Sequence, residues 1–248
     1  MPSFRSGSAP EISVTNLTRR LFLGQASVSL AALGAMTSSG NSQLVYKRSD
    51  WKIAEFDRLV KNPYRVKQVF DENQIGGGKF LNNIKNSLNG LHFGFNIPSD
   101  QIKIIAAMHG PANALNFDDY VWQKYRIGEW LKVQDPKTGQ PAVRNPFFAS
   151  KAAPGMHYPT KDPDDEDSPF QDASIQALQL RGVQFLCCHT ATEEQVRGLI
   201  AHQNLRQKPE EIVKEMLAHT LPDVLVVASM VAAIALLQTD GHYSYITV

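Results

Sequence analysis

Val183-Gln184-Phe185-Leu186-Cys187-Cys188-His189-Thr190 is an apolar run of strand length that ends on both cysteines of the chain. Gly182 breaks the helical stretch before it, and Thr192-Glu193-Glu194 opens the next one. The two thiols are therefore expected where a buried strand opens into a loop ahead of a helix N-terminus. The same strand-then-helix unit recurs on both sides. Gln101 to Met108 reads as a strand running into His109-Gly110-Pro111, and Pro111 suits a first helical turn, so a helix is expected from there through Asn113 towards Tyr125. Val224 to Ala228 is wholly apolar, as in a sheet covered on both faces, and Ser229 to Leu237 follows as a short helix closed by Asp240-Gly241.

Arg65 to Asp71 alternates like a strand, and Gly76-Gly77-Gly78 then leads into a helix with Phe80, Ile84 and Leu88 on one face. A modest amphipathic helix, Ser49 to Asn62, precedes that strand, and Asp172 to Arg181 returns to helix before Val183. Thr192–Gln203 and Pro209–His219 are amphipathic helices, and Tyr243 to Val248 is a final alternating strand. About five strands separated by helices predict an α/β fold with a mostly parallel sheet.

The 248 residues carry a net charge of +1, and Lys and Arg are scattered among acids. No basic stripe of the kind that tracks a phosphate backbone is present, which argues against nucleic acid as a partner. Two adjacent cysteines make no disulfide framework, and there is no CxxC for zinc or dithiol redox chemistry. A bridge between direct neighbours strains the peptide between them, so two free thiols are expected.

Residues 1 to about 50 differ from the body at 51–248. Thr18-Arg19-Arg20-Leu21-Phe22-Leu23 followed by a mildly apolar run, Leu21 to Met36, resembles a twin-arginine export signal. The alternative is an unstructured basic tail. No clean cleavage site precedes Thr37, so an uncleaved leader acting as a membrane anchor stays open. A second departure is the proline-rich stretch of about 126–169, which reads as an inserted lid or binding loop. His157 and Tyr158 are candidates to reach back from it over a pocket. Its acidic run, Asp162 to Asp167, lacks the spacing and the glycine of an EF-hand and reads as a solvated loop.

In open α/β sheets ligands bind beyond the carboxyl ends of the strands. That rule gathers Gly76 to Gly78, His109-Gly110, Cys188-His189 and Ser229 into one crevice. Glycines ahead of a helix can cradle an anion or can simply make a turn; no Walker loop is present, and no cofactor is implied. A thiol beside helix N-termini and an imidazole is expected to favour its thiolate, the nucleophilic form. Side chains alternate across a strand, so only one of the two cysteines faces the crevice, and Cys188 lies nearest the exit. The competing reading is a cysteine buried for packing. His109 and His189 are candidate acid/base or polarising groups, and Asn113 a candidate binding residue.

Lys103 to Ala112 (KIIAAMHGPA), Gly182 to Thr190 (GVQFLCCHT), Leu221 to Ser229 (LPDVLVVAS) and Gly241 to Ile246 (GHYSYI) together resemble the DsrE/DsrF-like family. The resemblance covers roughly 65–125 and 170–248. It implies a three-layer α/β/α sandwich, assembly as a trimer or hexamer, and persulfide sulfur carried on the cysteine after the third strand, a position on which Cys188 falls. Ser229 stands where relatives commonly have Gly, and both the insertion and the export signal depart from the pattern.

The function expected is that of an exported, periplasmic carrier of sulfane sulfur. Cys188, His109 and His189 would act on the sulfur, and Gly76, Gly77, Gly78, Gly110, Asn113 and Ser229 would line the site. Its partners would be a sulfur donor or acceptor protein and, for export, the twin-arginine translocase. The alternative from another class is a non-catalytic oligomeric module that binds a small ligand or partner peptide. A metal site on Cys188, His189 and His109 is a third reading that no ligand spacing supports.

Overall fold

The computed structural model describes residues 50–152 and 157–247. The twin-arginine stretch and the apolar run of the leader lie outside the described residues. Five strands form one all-parallel sheet: β1 (Val66–Glu72), β2 (Ile102–Met108), β3 (Gln184–Cys188), β4 (Leu225–Val227) and β5 (Ser244–Thr247), in the order β4-β3-β2-β1-β5. The first three crossovers step the same way across the sheet, and the last returns to the far side of β1. Right-handed crossovers then put the intervening helices of the first three on one face and that of the last on the other.

The core divides accordingly. Phe70, Ile104, Ala106, Met108, Phe185 and Cys187 face a thick layer made by α2 (Lys79–Asn89), α3 (Asp119–Lys124), α4 (Ile127–Trp130), α5 (Ile175–Leu180), α6 (His189–Gln203) and α7 (Pro209–Ala218). Val69, Ile105, Ala107, Leu186 and Cys188 face a thin layer of α1 (Ile53–Val60) and α8 (Met230–Thr239). The α/β fold with a mostly parallel sheet expected from the alternation of elements is the architecture found, with all five strands parallel.

Three local differences matter for the site. No loop separates β3 from its helix: Cys188 is itself the N-cap of α6, so the helix opens at His189 rather than Thr192. The helix expected from Pro111 to Tyr125 breaks in two. Gly110–Asn116 winds as a 3-10 helix, Phe117 is extended, and Asp118 caps α3 by accepting the Val121 N–H at 3.2 Å. Asn113 and Asn116 account for the break, because their buried side chains bond out of the turn, Asn116 Nδ2 to Leu186 O at 3.2 Å and Asn113 to α6 and the end of β3. The Schellman-type turn after α5 needs Gly182, whose φ of 87° lets the Val183 N–H reach Leu178 O at 3.0 Å.

The insertion packs against the thick layer. Val133 and Ala142 join the core, and the buried Asn145 donates to Leu115 O at 2.8 Å and Phe117 O at 3.0 Å. Gly128 lets the strand-like segment at Ala142 cross α4, since a Cβ there would meet Ala142 O at 2.2 Å. Among the described residues no helix is long and apolar enough to cross a membrane.

Candidate functional site

Four parallel strands end at one level. Glu72 pairs with Met108, Met108 with Cys187, and Cys187 with Val226. The residues just beyond them line an open cleft of about 300 Å³: Asn73 and Gln74 after β1, His109 and Gly110 after β2, Cys188 ending β3, and Ser229 at the N-cap of α8. Thr190 and Glu194 of α6 and Val231 of α8 complete the wall.

Cys188 lies at the floor, 4% exposed. Two helix starts converge on its sulfur: the N–H of Ala191 in α6 donates to Sγ at 3.4 Å and that of Met230 in α8 at 3.3 Å. Positive helix ends and direct N–H donors favour a thiolate. Burial nevertheless wins, and the thiol is raised above its ordinary range, with the amide bonds opposing and Glu194 adding to the rise. The thiolate-favouring environment expected from the sequence is thus outweighed by desolvation. Cys187 points to the other face, is fully buried, and is pushed up to about 12 by desolvation. The alternation of the strand separates the two thiols as expected.

His109 belongs to a chain of groups that the sequence reading missed. Its Nε2 lies 2.8 Å from Asp71 Oδ1, and Tyr245 of β5 donates its hydroxyl to Asp71 Oδ2 at 2.5 Å. The bond to Asp71 raises the imidazole above its usual value, against a desolvation that opposes it; Glu72 and Glu194 add to the rise. Burial alone would raise the Asp71 carboxyl, but the bonds from His109 and Tyr245 hold it below its ordinary range.

The remaining expected residues divide. Gly110 and Ser229 line the cleft. Gly110 sits at φ 50°, where a Cβ would come within 3.1 Å of Asn73 O, and its carbonyl accepts Gln195 Nε2 at 2.8 Å. Asn113 is completely buried and serves the scaffold: Oδ1 accepts the Cys188 N–H at 2.8 Å and Nδ2 donates to Thr192 Oγ1 at 3.0 Å, locking the end of β3 to α6. Gly76, Gly77 and Gly78 are absent from the lining. All three have positive φ, and a Cβ on Gly78 would strike the Phe147 ring at 2.5 Å, so the glycines serve a left-handed turn under the insertion. His189 turns away from Cys188 into a separate recess beside Trp51, Leu217 and Thr220, where burial lowers its basicity.

Among the described residues of 126–169 none lines the cleft, and Tyr158 bonds Asp172 at 2.9 Å instead of reaching over it. Among the described residues no three His, Cys, Asp or Glu side chains converge as metal ligands, and His189 is parted from Cys188 and His109. Glu194 could be picked from the sequence only by its place on the first turns of α6; Asp71 carries a clearer signal, an acid at the exit of a strand on the face of Val69.

No family model, curated protein or solved structure matches the chain.

Proposed function

We propose that the protein carries sulfane sulfur on Cys188. The observation that supports this reading is the sulfur's position: the end of β3, at the floor of an open cleft, with two helix-start amides donating to it and His109 in the same wall. In the step envisaged, the Cys188 proton passes to His109 and the thiolate attacks the terminal sulfur of a donor. The Cys188 S–S bond forms as the donor's S–S bond breaks, and its electron pair leaves with the donor as a thiolate, or as sulfite when thiosulfate is the donor. No external oxidant is required. The two amides that now bond Sγ are available to a persulfide anion, which gains from the same helix ends. On this reading the chain is exported by the twin-arginine route to the periplasm, meets its sulfur donor or acceptor there, and assembles as a homo-oligomer; the exposed Val231 and Leu236 of α8 are in keeping with assembly.

Intact-mass spectrometry after incubation with thiosulfate or polysulfide tests the reading. Reducible increments of whole sulfur atoms are expected, lost in Cys188→Ser and retained in Cys187→Ser. An unchanged mass with both thiols unreactive would sink it. The near-complete burial of Cys188 favours the second reading, a binding module in which the thiols only pack, and that reading predicts the unchanged mass.

A further inference from the structure

We infer that Asp71 and Tyr245 are positioning residues for the Cys188 cleft, acting through His109 to decide which ring nitrogen exchanges the cysteine's proton. The inference rests on the proposed role of His109 beside Cys188. Its geometric basis is strand alternation carried across four strands. His109 follows Ala107 on the face that also holds Ile105, Val69 lies on that face two residues before Asp71, and Tyr245 is in register with Val69. Leu186 and Cys188 point to the same side. Tyr245, Asp71, His109 and Cys188 therefore lie along one face of the sheet near its carboxyl edge, running from the edge strand β5 inward to β3.

The hydrogen bonds give this row a direction. Tyr245 is a donor to Asp71 Oδ2, and Asp71 Oδ1 is left to accept from His109 Nε2. A carboxylate that accepts from Nε2 places the proton there, so the neutral ring presents Nδ1 as its base. When the Cys188 proton moves to Nδ1, the S–H bond breaks, its electron pair stays on sulfur, and the imidazolium keeps its Nε2–H on Asp71. The charged groups that face His109 are Asp71 and Glu72 from β1 and Glu194 from α6; β5 contributes Tyr245 through Asp71, and β3 contributes Cys188. Glu72 is itself raised by burial, against bonds from the Gln74 and Asn73 amides, so Asp71 is the principal anion of the set.

Two substitutions then act on His109 in opposite directions. Asp71→Asn removes the anion and should lower the titration midpoint of the imidazole. Tyr245→Phe removes the donor that shares the Asp71 charge and should raise that midpoint by a smaller amount. The His109 ring proton resonance, assigned by its loss in His109→Gln, reports both midpoints in the full chain. In parallel, the rate of Cys188 alkylation by iodoacetamide is followed against pH, with Cys187→Ser throughout. An inflection at the His109 midpoint that moves down in Asp71→Asn and up in Tyr245→Phe is the expected result. Shifts of the same sign, no shift in either variant, or an alkylation profile that ignores the His109 midpoint would each overturn the inference. Should Asp71→Asn fail to fold, Tyr245→Phe decides alone, since that ring is 44% exposed. Sulfur loading is scored separately: an intact opposed shift with no sulfur increment would retire the carrier reading and leave the relay standing.

Discussion

Cys188 Sγ accepts the backbone N–H of Met230 at 3.3 Å across 42 residues of sequence. With the Ala191 amide this ties the end of β3 to the starts of two helices that lie on opposite faces of the sheet. Such a sulfur is well solvated as an anion by the backbone but is shut away from water, and the second effect is the larger.

A difference between the two thiols follows. Alkylation of Cys188 should rise with pH along a curve displaced above that of an exposed cysteine, because burial raises the thiol. Cys187, pushed up to about 12 and walled in on the opposite face, should stay unmodified in the folded protein. Peptide mapping after iodoacetamide treatment between pH 6 and pH 10 (about the ordinary range of thiol titration) reads both. Equal labelling of the two would contradict the separation of the faces.

How far the sequence carried the fold is clear from β3 itself. Period-two alternation and an apolar run were enough to split Cys187 from Cys188, and helix-alternating strands were enough for a parallel sheet. Ends of elements were less legible. The break at Phe117 depends on Asn113 and Asn116 bonding to a strand that is remote in sequence. The composition of the three glycines fits a plain turn as well as an anion cradle; the Phe147 ring that requires Gly78 and marks the turn comes from the insertion. His189 neighbours Cys188 in sequence, yet the first turn of a helix swings successive side chains by about 100°, which takes it to another recess. Asp71 and Tyr245 met only through the pairing of β1 with β5, and no local pattern shows which strand lies beyond β1.

Asn145→Ala should loosen the insertion. The side chain satisfies the carbonyls of Leu115 and Phe117, two residues with no exposed surface. Removing both bonds leaves buried acceptors, a loss of about 2–3 kcal/mol. Urea unfolding should show it as a lower midpoint, and hydrogen exchange should rise around Asn145 while Cys188 alkylation stays unchanged, because Asn145 and the other described residues of the insertion do not line the cleft.

Gly110→Ala tests the cleft wall. Its φ of 50° costs a side chain about 1–2 kcal/mol, and the new methyl would press on Asn73 O at 3.1 Å. A fall in Tm of about 2–8 °C is expected for a domain of this size. The carbonyl that binds Gln195 should move with it, so the Asn73 side of the cleft and the first turns of α6 should both gain exchange. Unchanged Tm would mean that the turn relaxes without resistance.

The acid limb of stability should depend on Glu215. Its carboxylate accepts from Lys124, from Tyr120 at 2.6 Å and from Tyr125 at 3.0 Å, joining α7 to α3 and the residue after it. Led by the bond from Lys124, these contacts lower Glu215 from 4.5 to about 2. A carboxyl depressed in the folded state binds its proton more readily when unfolded, so its contribution is present in full above pH 4.5 and is lost as the pH falls to about 2. Glu215→Gln keeps an acceptor for the tyrosines and removes the charge. Its Tm should therefore lie below that of the parent by a constant amount above pH 5 (about half a unit beyond the unfolded titration), and the gap should close on acidification through that window. The ammonium of Lys124 is partly exposed, so added salt should narrow the gap at neutral pH as well. A gap that widened towards low pH would mean the depressed carboxyl is not what this cluster stabilises.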